Sequence, residues 1–374
     1  MKSFCLALLA GSLLPLTHIH AAEPAISEFM AANGGTLADE DGDSSDWIEI
    51  RNGGTSTANL EGWFLTDEAN RPTKWRFPAV TLAPGQFKLV WASTKNRTNS
   101  AALLHTNFRL DRGGGYLSLL DANTNIVSAF SPYPSQFIDV SYGLGPSSNS
   151  FGYFATPTPG APNALQFSTR TDAPGFSHKR GFYGTNFSLT LTSKTAGATI
   201  YYTTNGTPPA PTNGIAYSAP LAITRTTIIR AAAFTPGLLP SDAHTHSFLF
   251  TRDIIRAPDR VPPPGWPATW GANVVDYGMD TNVVNDPRYA GTIESDLRVM
   301  PSLCLVMDLK DLFDRTNGIY ANALQDGIEW ERPASLELIN PDGSDGFQEQ
   351  AGLRIRGGFS RASDDPKQIG RAHV

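Results

Sequence analysis

Cysteine is nearly missing from these 374 residues: there are two, Cys5 and Cys304. Cys5 falls in a leader-like stretch, so a chain that sheds the leader keeps one thiol and forms no internal disulfide. Cys304 sits in the apolar run Leu303 to Met307, where a buried, inert thiol is expected. Long hydrophobic runs are missing too. The run from Phe4 to Leu16 is shorter than the roughly 20 residues that span a bilayer, follows Lys2, and precedes the small residues Ala21 and Ala22. That pattern predicts a signal peptide over residues 1–22, cleaved after Ala21 or Ala22, and a secreted or extracytoplasmic product in the periplasm or at the cell surface. A basic face is wanting as well. With 29 Lys and Arg against 35 Asp and Glu, the net charge of −6 argues against a nucleic-acid partner. Charged residues make up only 17% of the chain, which is far from coiled-coil composition.

What is present is glycine (34) and proline (28), a balance that favours many strands joined by turns. From 25 to 163, runs of period-two alternation follow one another: Ile48 and Ile50 in DWIEI, Phe87, Leu89 and Trp91 in QFKLVW, Leu117 and Leu119 in YLSLL. Each reads as a half-buried strand. Between them stand Asn52-Gly53-Gly54, Pro84-Gly85, Gly113-Gly114-Gly115 and Asp121-Ala122-Asn123, all turn formers. An antiparallel sandwich is expected. ISEFMAANGG, ADEDGDSSDWIEIRN, LEGWFLTD, WRFP, PGQFKLVWAS and LDRGGGYLSLLD, in this order and spacing, resemble a bacterial lamin tail domain. The resemblance implies an immunoglobulin-like sandwich used for attachment or scaffolding, and no catalytic residues.

Within that module Asp39, Glu40, Asp41, Asp43 and Asp46 crowd one turn. Two readings stand side by side: a Ca²⁺ cage built on Asp39, Asp41, Asp43 and Asp46, or a solvated acidic turn before the strand at Trp47. The spacing is not that of an EF-hand, which needs Gly sixth and Glu twelfth, whereas Gly42 is fourth from Asp39.

The stretch TPTPGAPNA reads as an extended linker. Beyond it, residues 173–251 resume the strand pattern with Phe187, Leu189 and Leu191, then ATIYYTTNGTPP, YSAPLAIT and TTIIRAAAF. This series is similar to the small immunoglobulin-like module at the end of chitobiase and hexosaminidase enzymes. Tyr201 and Tyr202 point to opposite faces of one strand, so one belongs to the core and the other is placed to stack on a sugar or to lie on the surface. His244 and His246 in AHTH share a strand face, as metal ligands or as structural histidines; no third ligand stands at suitable spacing.

Residues 252–299 are Pro- and Asn-rich and read as a connector. From Met300 come PSLCLVMD, LKDLFDRTNGIYAN, WERPASLELINPDG and FQEQAGLRIRGG, expected as strand, short helix, strand, strand. Residues 300–367 resemble the start of the CotH kinase family through the apolar strand before D-LFD, then GIY, WERP and an IRGG-S-R segment leading to Pro-Lys. The resemblance implies an atypical extracytoplasmic phosphoryl-transfer fold of α+β type, with ATP and Mg²⁺ expected for a full-length parent. On it, Arg356, Gly357, Gly358, Ser360 and Lys367 are candidates for nucleotide phosphate, against a plain hairpin with exposed charges. The carboxylates that hold metal in such folds would lie beyond Lys367, so no catalytic residue and no kinase activity are expected of the chain as written.

The last residues, Ile369 to Val374, fit neither the strand alternation nor the family. Written as ATC GGA AGA GCA CAC GTC, and preceded by AG from the Gln368 codon, they match the beginning of a common sequencing adapter, so residues 368–374 are expected to be translated adapter. The whole is read as mainly β: two immunoglobulin-like sandwiches followed by an incomplete CotH-like domain. The function expected is the N-terminal part of a secreted modular phosphotransferase, its sandwiches serving attachment. The alternative is a surface-binding or adhesion protein without catalysis, whose sandwiches recognise glycan or an envelope protein.

Overall fold

A computed structural model describes residues 24–145, 150–164, 166–258, 260–269, 274–357 and 361, with the backbone alone of 19–20, 270, 273 and 368–373. Of the expected leader only the backbone of 19–20 is described, and Gly358, Ser360 and Lys367 fall outside the described residues. The protein is mainly β and divides into two compact units, Met1–Thr169 and Arg170–Val374. No helix among the described residues is long and apolar enough to cross a membrane.

The first unit packs two sheets. One has the order Ile19–His20, Ile126–Tyr133, Gly115–Leu120, Phe64–Thr66, Trp75–Arg76; the other runs Phe151–Phe154, Ser141–Leu144, Ala25–Met30, Asp46–Arg51, Phe87–Ala92, Leu104–His105. Alternation puts Ile48 and Ile50 on the inner face, as expected. An irregularity between Ile26 and Glu28 lets both Ile26 and Phe29 turn inward, opposite Ile50 and Ile48. Phe29 then meets Phe130 and Tyr133 of the other sheet edge to face, with ring centroids 5.1 and 5.0 Å away. Such contacts add about 1 kcal/mol each beyond the area they bury.

The strand Asp46–Arg51 departs from the half-buried expectation: from Trp47 to Ile50 it is buried on both faces. Trp47 is covered by Met30, Trp91, Leu37 and Leu89, and Glu49 by the segment 156–163. That segment holds no strand or helix, as expected of a linker, yet it is not free. Thr158 and Gly160 donate to the carboxylates of Glu28 and Glu49, and the Asn163 amide donates to the Ser27 and Leu144 carbonyls at 2.9 and 2.7 Å. The stretch is a strap across the outer face of the six-stranded sheet.

In the second unit a five-stranded sheet has the order Gly181–Phe182, His244–Leu249, Thr227–Phe234, Thr199–Thr203, Ile215–Ala216. Small antiparallel pairs join Phe187–Leu189 to Leu221–Ile223 and Gly175–Phe176 to Leu191–Thr192. Leu189, Leu191, Ile200, Ile229, Phe248 and Phe250 form the core between them. The residues after Thr251 belong to the same unit. Short helices at Thr251–Ile255, Thr281–Val284 and Ile293–Asp296 carry the connector, and Thr251 joins the first to the last through Glu294 and Arg298 at 2.9 and 2.7 Å. Next come the strand Ser302–Val306, the helix Leu309–Phe313 and the strands Arg332–Ile339 and Gln348–Arg356. The helix starts where the Asp308 carboxylate accepts from Lys310 N–H at 2.9 Å. The backbone of Gln368–His373 adds a fourth strand beside Gln348–Arg356, where no strand was expected. Edge pairing uses main-chain groups and is indifferent to side-chain alternation.

Candidate functional site

The acidic turn is built around Asp39. Its Oδ1 accepts from the N–H groups of Asp41 and Asp43 at 3.0 and 3.1 Å, and Gly42, at φ +82°, makes the reversal. Asp39, Asp41 and Asp43 bring carboxylate oxygens together, as the cage expectation required. Their centre is taken by an ammonium: Lys95 Nζ lies 2.6 Å from Asp39 Oδ2, 2.6 Å from Asp41 Oδ2 and 2.9 Å from Asp43 Oδ2. Arg97 closes the rim, reaching Glu40 at 2.5 Å and Asp41 at 2.6 Å. His105 Nε2 stands 3.0 Å from Glu40, with Ser93 Oγ 2.8 Å from its Nδ1.

Burial opposes ionising Asp39, but Lys95, Ser45 and two backbone N–H groups outweigh it and hold the carboxyl below its ordinary range. Arg97 and Lys95 draw Asp41 down to about 2. Asp46 is not in the cluster. Burial pushes it up to about 6, against hydrogen bonds from the Asn33 and Leu110 backbone. The donor set therefore fits a cation, but the chain supplies that cation itself, and Ca²⁺ could enter only by displacing Lys95.

A second site opens in the last sheet. A cleft of about 380 Å³ is lined by Asn322, Gln325, Asp326, Trp330 and the three arginines Arg354, Arg356 and Arg361. The strand Gln348–Arg356 turns Leu353 into the small core with Met307, Ile319 and Ala334. Arg354 pairs with Glu331 at 3.2 Å, and Arg361 donates to the carbonyls of Gly357 and Gln325. Arg356 is exposed on the cleft, and Gly357 follows at φ +120°, a region that favours glycine. Of the five phosphate candidates, Arg356 lines this arginine-rich cleft beside an indole, and Gly357 follows it in the chain without lining the cleft. Guanidinium forks of this kind suit phosphate or carboxylate oxygens.

A third cluster was not foreseen. Glu337, wholly buried, accepts from the Ser247 N–H at 3.1 Å and from its hydroxyl, with Arg180 3.4 Å away. Arg230, also buried, donates to the Gly206 carbonyl at 2.6 Å. Burial raises the Glu337 carboxyl and lowers both guanidinium groups. Cys304 lies beside them, its thiol pushed up to about 11 by burial, in keeping with an inert role. His246 lies flat on Phe176, 3.9 Å between ring centroids, and burial pushes it down to about 3, so it is a neutral packing residue. Tyr202 packs on the module core, while Tyr201 stands edge-on to Phe234 at 5.6 Å.

Sequence signals for the missed residues were uneven. Glu337 alternates with Leu336 and Leu338 inside a strand, which sets it on the face opposite those leucines but gives no sign of what covers it. Lys95 and Arg97 carried no signal, being more than fifty residues from the carboxylates they meet.

With this geometry in place, comparison with known families finds the Lamin Tail Domain over residues 20–133 and a domain described as Fn3 associated over residues 189–248. The second match covers residues expected as a chitobiase and hexosaminidase module but is of a different description, and neither that module nor the CotH kinase family is among the families found. No curated protein matches the chain.

Proposed function

We propose that the chain is the attachment and scaffold part of a secreted modular protein, in which the Fn3-associated module is the fixed base of a third domain resembling the CotH kinase family. The observation that supports this is Glu337: a carboxylate from the third segment spends its hydrogen bonds on a strand of the second module and is sealed there from water. Charges are buried in this way where two parts keep one register, because an unpaired carboxylate in such a place costs several kcal/mol. The lamin tail domain supplies the attachment module. The arginine-lined cleft is where the third domain would take phosphate, and ATP and Mg²⁺ are the cofactors implied for the parent protein.

Limited proteolysis and calorimetry of the intact chain test the reading. Residues 170–357 are expected to unfold in one transition and to resist cleavage between 252 and 299. In Glu337→Ala that transition splits, and the third segment is cut first. Two independent transitions in the unsubstituted chain would end the fixed-base reading.

A further inference from the structure

Glu28 and Glu49 are direct cross-strand partners on the outer face of the first unit's six-stranded sheet, and neither is exposed to solvent. Above them lies the strap. Prolines at 157, 159 and 162 remove three of its amide donors, and the two left between 157 and 160 are both given to the pair. Thr158 donates its N–H to Glu28 Oε1 at 3.1 Å and its hydroxyl to Oε2 at 2.8 Å, and Gly160 donates its N–H to Glu49 Oε2. Ser141 donates to Glu28, and Ser27 to Glu49 at 2.7 Å. Thr158-Pro159-Gly160-Ala161 is a turn with Ala161 N–H on the Thr158 carbonyl at 3.0 Å and Gly160 at φ +81°. The strap therefore presents its donors in one arrangement only, matched to two carboxylates.

We propose that Glu28 and Glu49 form a proton-operated latch: with a proton on the pair the strap 156–163 lies sealed on the sheet, and when the proton leaves to solvent the strap lifts. Two carboxylates sharing a dry site resist ionising together. The charged groups facing them are few. Among the described residues, Arg51, on the strand of Glu49, is the cation acting there, the strand Phe87–Ala92 sets Leu89 opposite Glu49, the strand Ser141–Leu144 presents Ser141, and the strap carries no titratable side chain. Burial, aided by Glu28, pushes Glu49 up to about 7, and burial raises Glu28 as well.

The sign follows from linkage. A carboxyl whose value is higher under the strap than in water favours the docked state at low pH and weakens it as pH rises through the docked value. Between the ordinary carboxylate range and pH 7 the docking equilibrium falls on the order of a hundredfold.

Hydrogen exchange of the full chain, corrected for intrinsic rates, tests the latch. Between pH 5.5 and 8.5 the amides of Thr158 and Gly160 are expected to lose protection by roughly thirtyfold or more, while strand Phe87–Ala92 holds. Glu49→Gln keeps an acceptor for Gly160 without the charge, and its strap should stay protected at both ends of the range. Unchanged strap protection in the unsubstituted chain, or an equal loss in Glu49→Gln, overturns the proposal. Should the variant fail to fold, infrared spectroscopy of the unsubstituted chain still tests the latch: absence of a protonated-carboxyl carbonyl band at pH 5.5, or a band that keeps its full intensity to pH 8.5, refutes it.

Discussion

Glu337 and Ser247 lie 90 residues apart, yet the backbone N–H and the hydroxyl of the serine both end on the carboxylate of the glutamate, which has no contact with water. Arg180 stands 3.4 Å from this buried carboxyl, whose ionisation burial opposes. Removing one partner of such a group leaves the others desolvated and unpaired. Glu337→Ala should therefore cost about 3 kcal/mol of second-unit stability in urea unfolding. Glu337→Gln, which keeps an acceptor for Ser247, should cost clearly less. Equal losses would mean that packing, not charge and hydrogen bonding, is what Glu337 supplies.

Lys95 is the cation of the acidic turn. Lys95→Met leaves Asp39, whose side chain is fully shielded, without its own counter-charge, Arg97 remaining only on Asp41 and Glu40, and should destabilise the first unit by about 2 kcal/mol. Millimolar Ca²⁺ should raise the melting temperature of this variant by several degrees and leave the unsubstituted chain unmoved. Equal stabilisation of both chains would show that Lys95 does not fill the cage.

The first unit holds carboxyls displaced in both directions, and their signs fix its pH profile. Asp39, Glu40 and Asp41 sit below their ordinary values, Asp41 at about 2, so their contribution is present above the ordinary carboxylate range and is lost as pH falls through the lowered values. Glu28, Asp46 and Glu49 are raised, the last two to about 6 and about 7, so their contribution is full below the ordinary range and is lost as pH rises through those values. Protection of the strand Asp46–Arg51 against exchange should then peak at about pH 4–5 and decline on either side. A maximum above pH 7 would contradict the assignment.

The same residues show what the sequence could disclose. Period-two alternation identified Ile48 and Ile50 as inward and, by the same rule, Glu49 as outward, and both placements hold. Alternation says nothing about what covers an outer face. A strand with water on one side and a strand beneath a strap read alike, so the sequence shows neither the cover over Glu49 nor the docking of the TPTPGAPNA linker on it. The carboxylates of the acidic turn were legible by composition, but Lys95 and Arg97 were not, because their pairing is set by the way the sheet brings distant loops together. At the cleft, alternation separated Leu353 and Ile355 from Arg354 and Arg356, while Arg361 and Trp330 arrive through the fold alone.

Among the arginines of that cleft, Arg354 is bound to Glu331 and Arg361 to two carbonyls, which leaves exposed Arg356 as the side chain best able to turn its donors to an incoming anion. Inorganic triphosphate titrated into the full chain at low salt should bind weakly and saturably, with affinity falling steeply as salt is added. Arg356→Ala should lower that affinity about tenfold, the worth of one charge-assisted pair of hydrogen bonds. Arg356→Lys should recover only part of it, because an ammonium cannot fork onto two oxygens. Lys179, paired with Asp345 at 2.5 Å and not part of the cleft lining, provides the control: Lys179→Ala removes a positive charge from the same unit and should leave the titration unchanged. Equal losses in Arg356→Ala and Lys179→Ala would reduce the effect to net charge. Absence of saturable binding would remove the cleft as a phosphate site and favour the surface-binding reading of the whole protein.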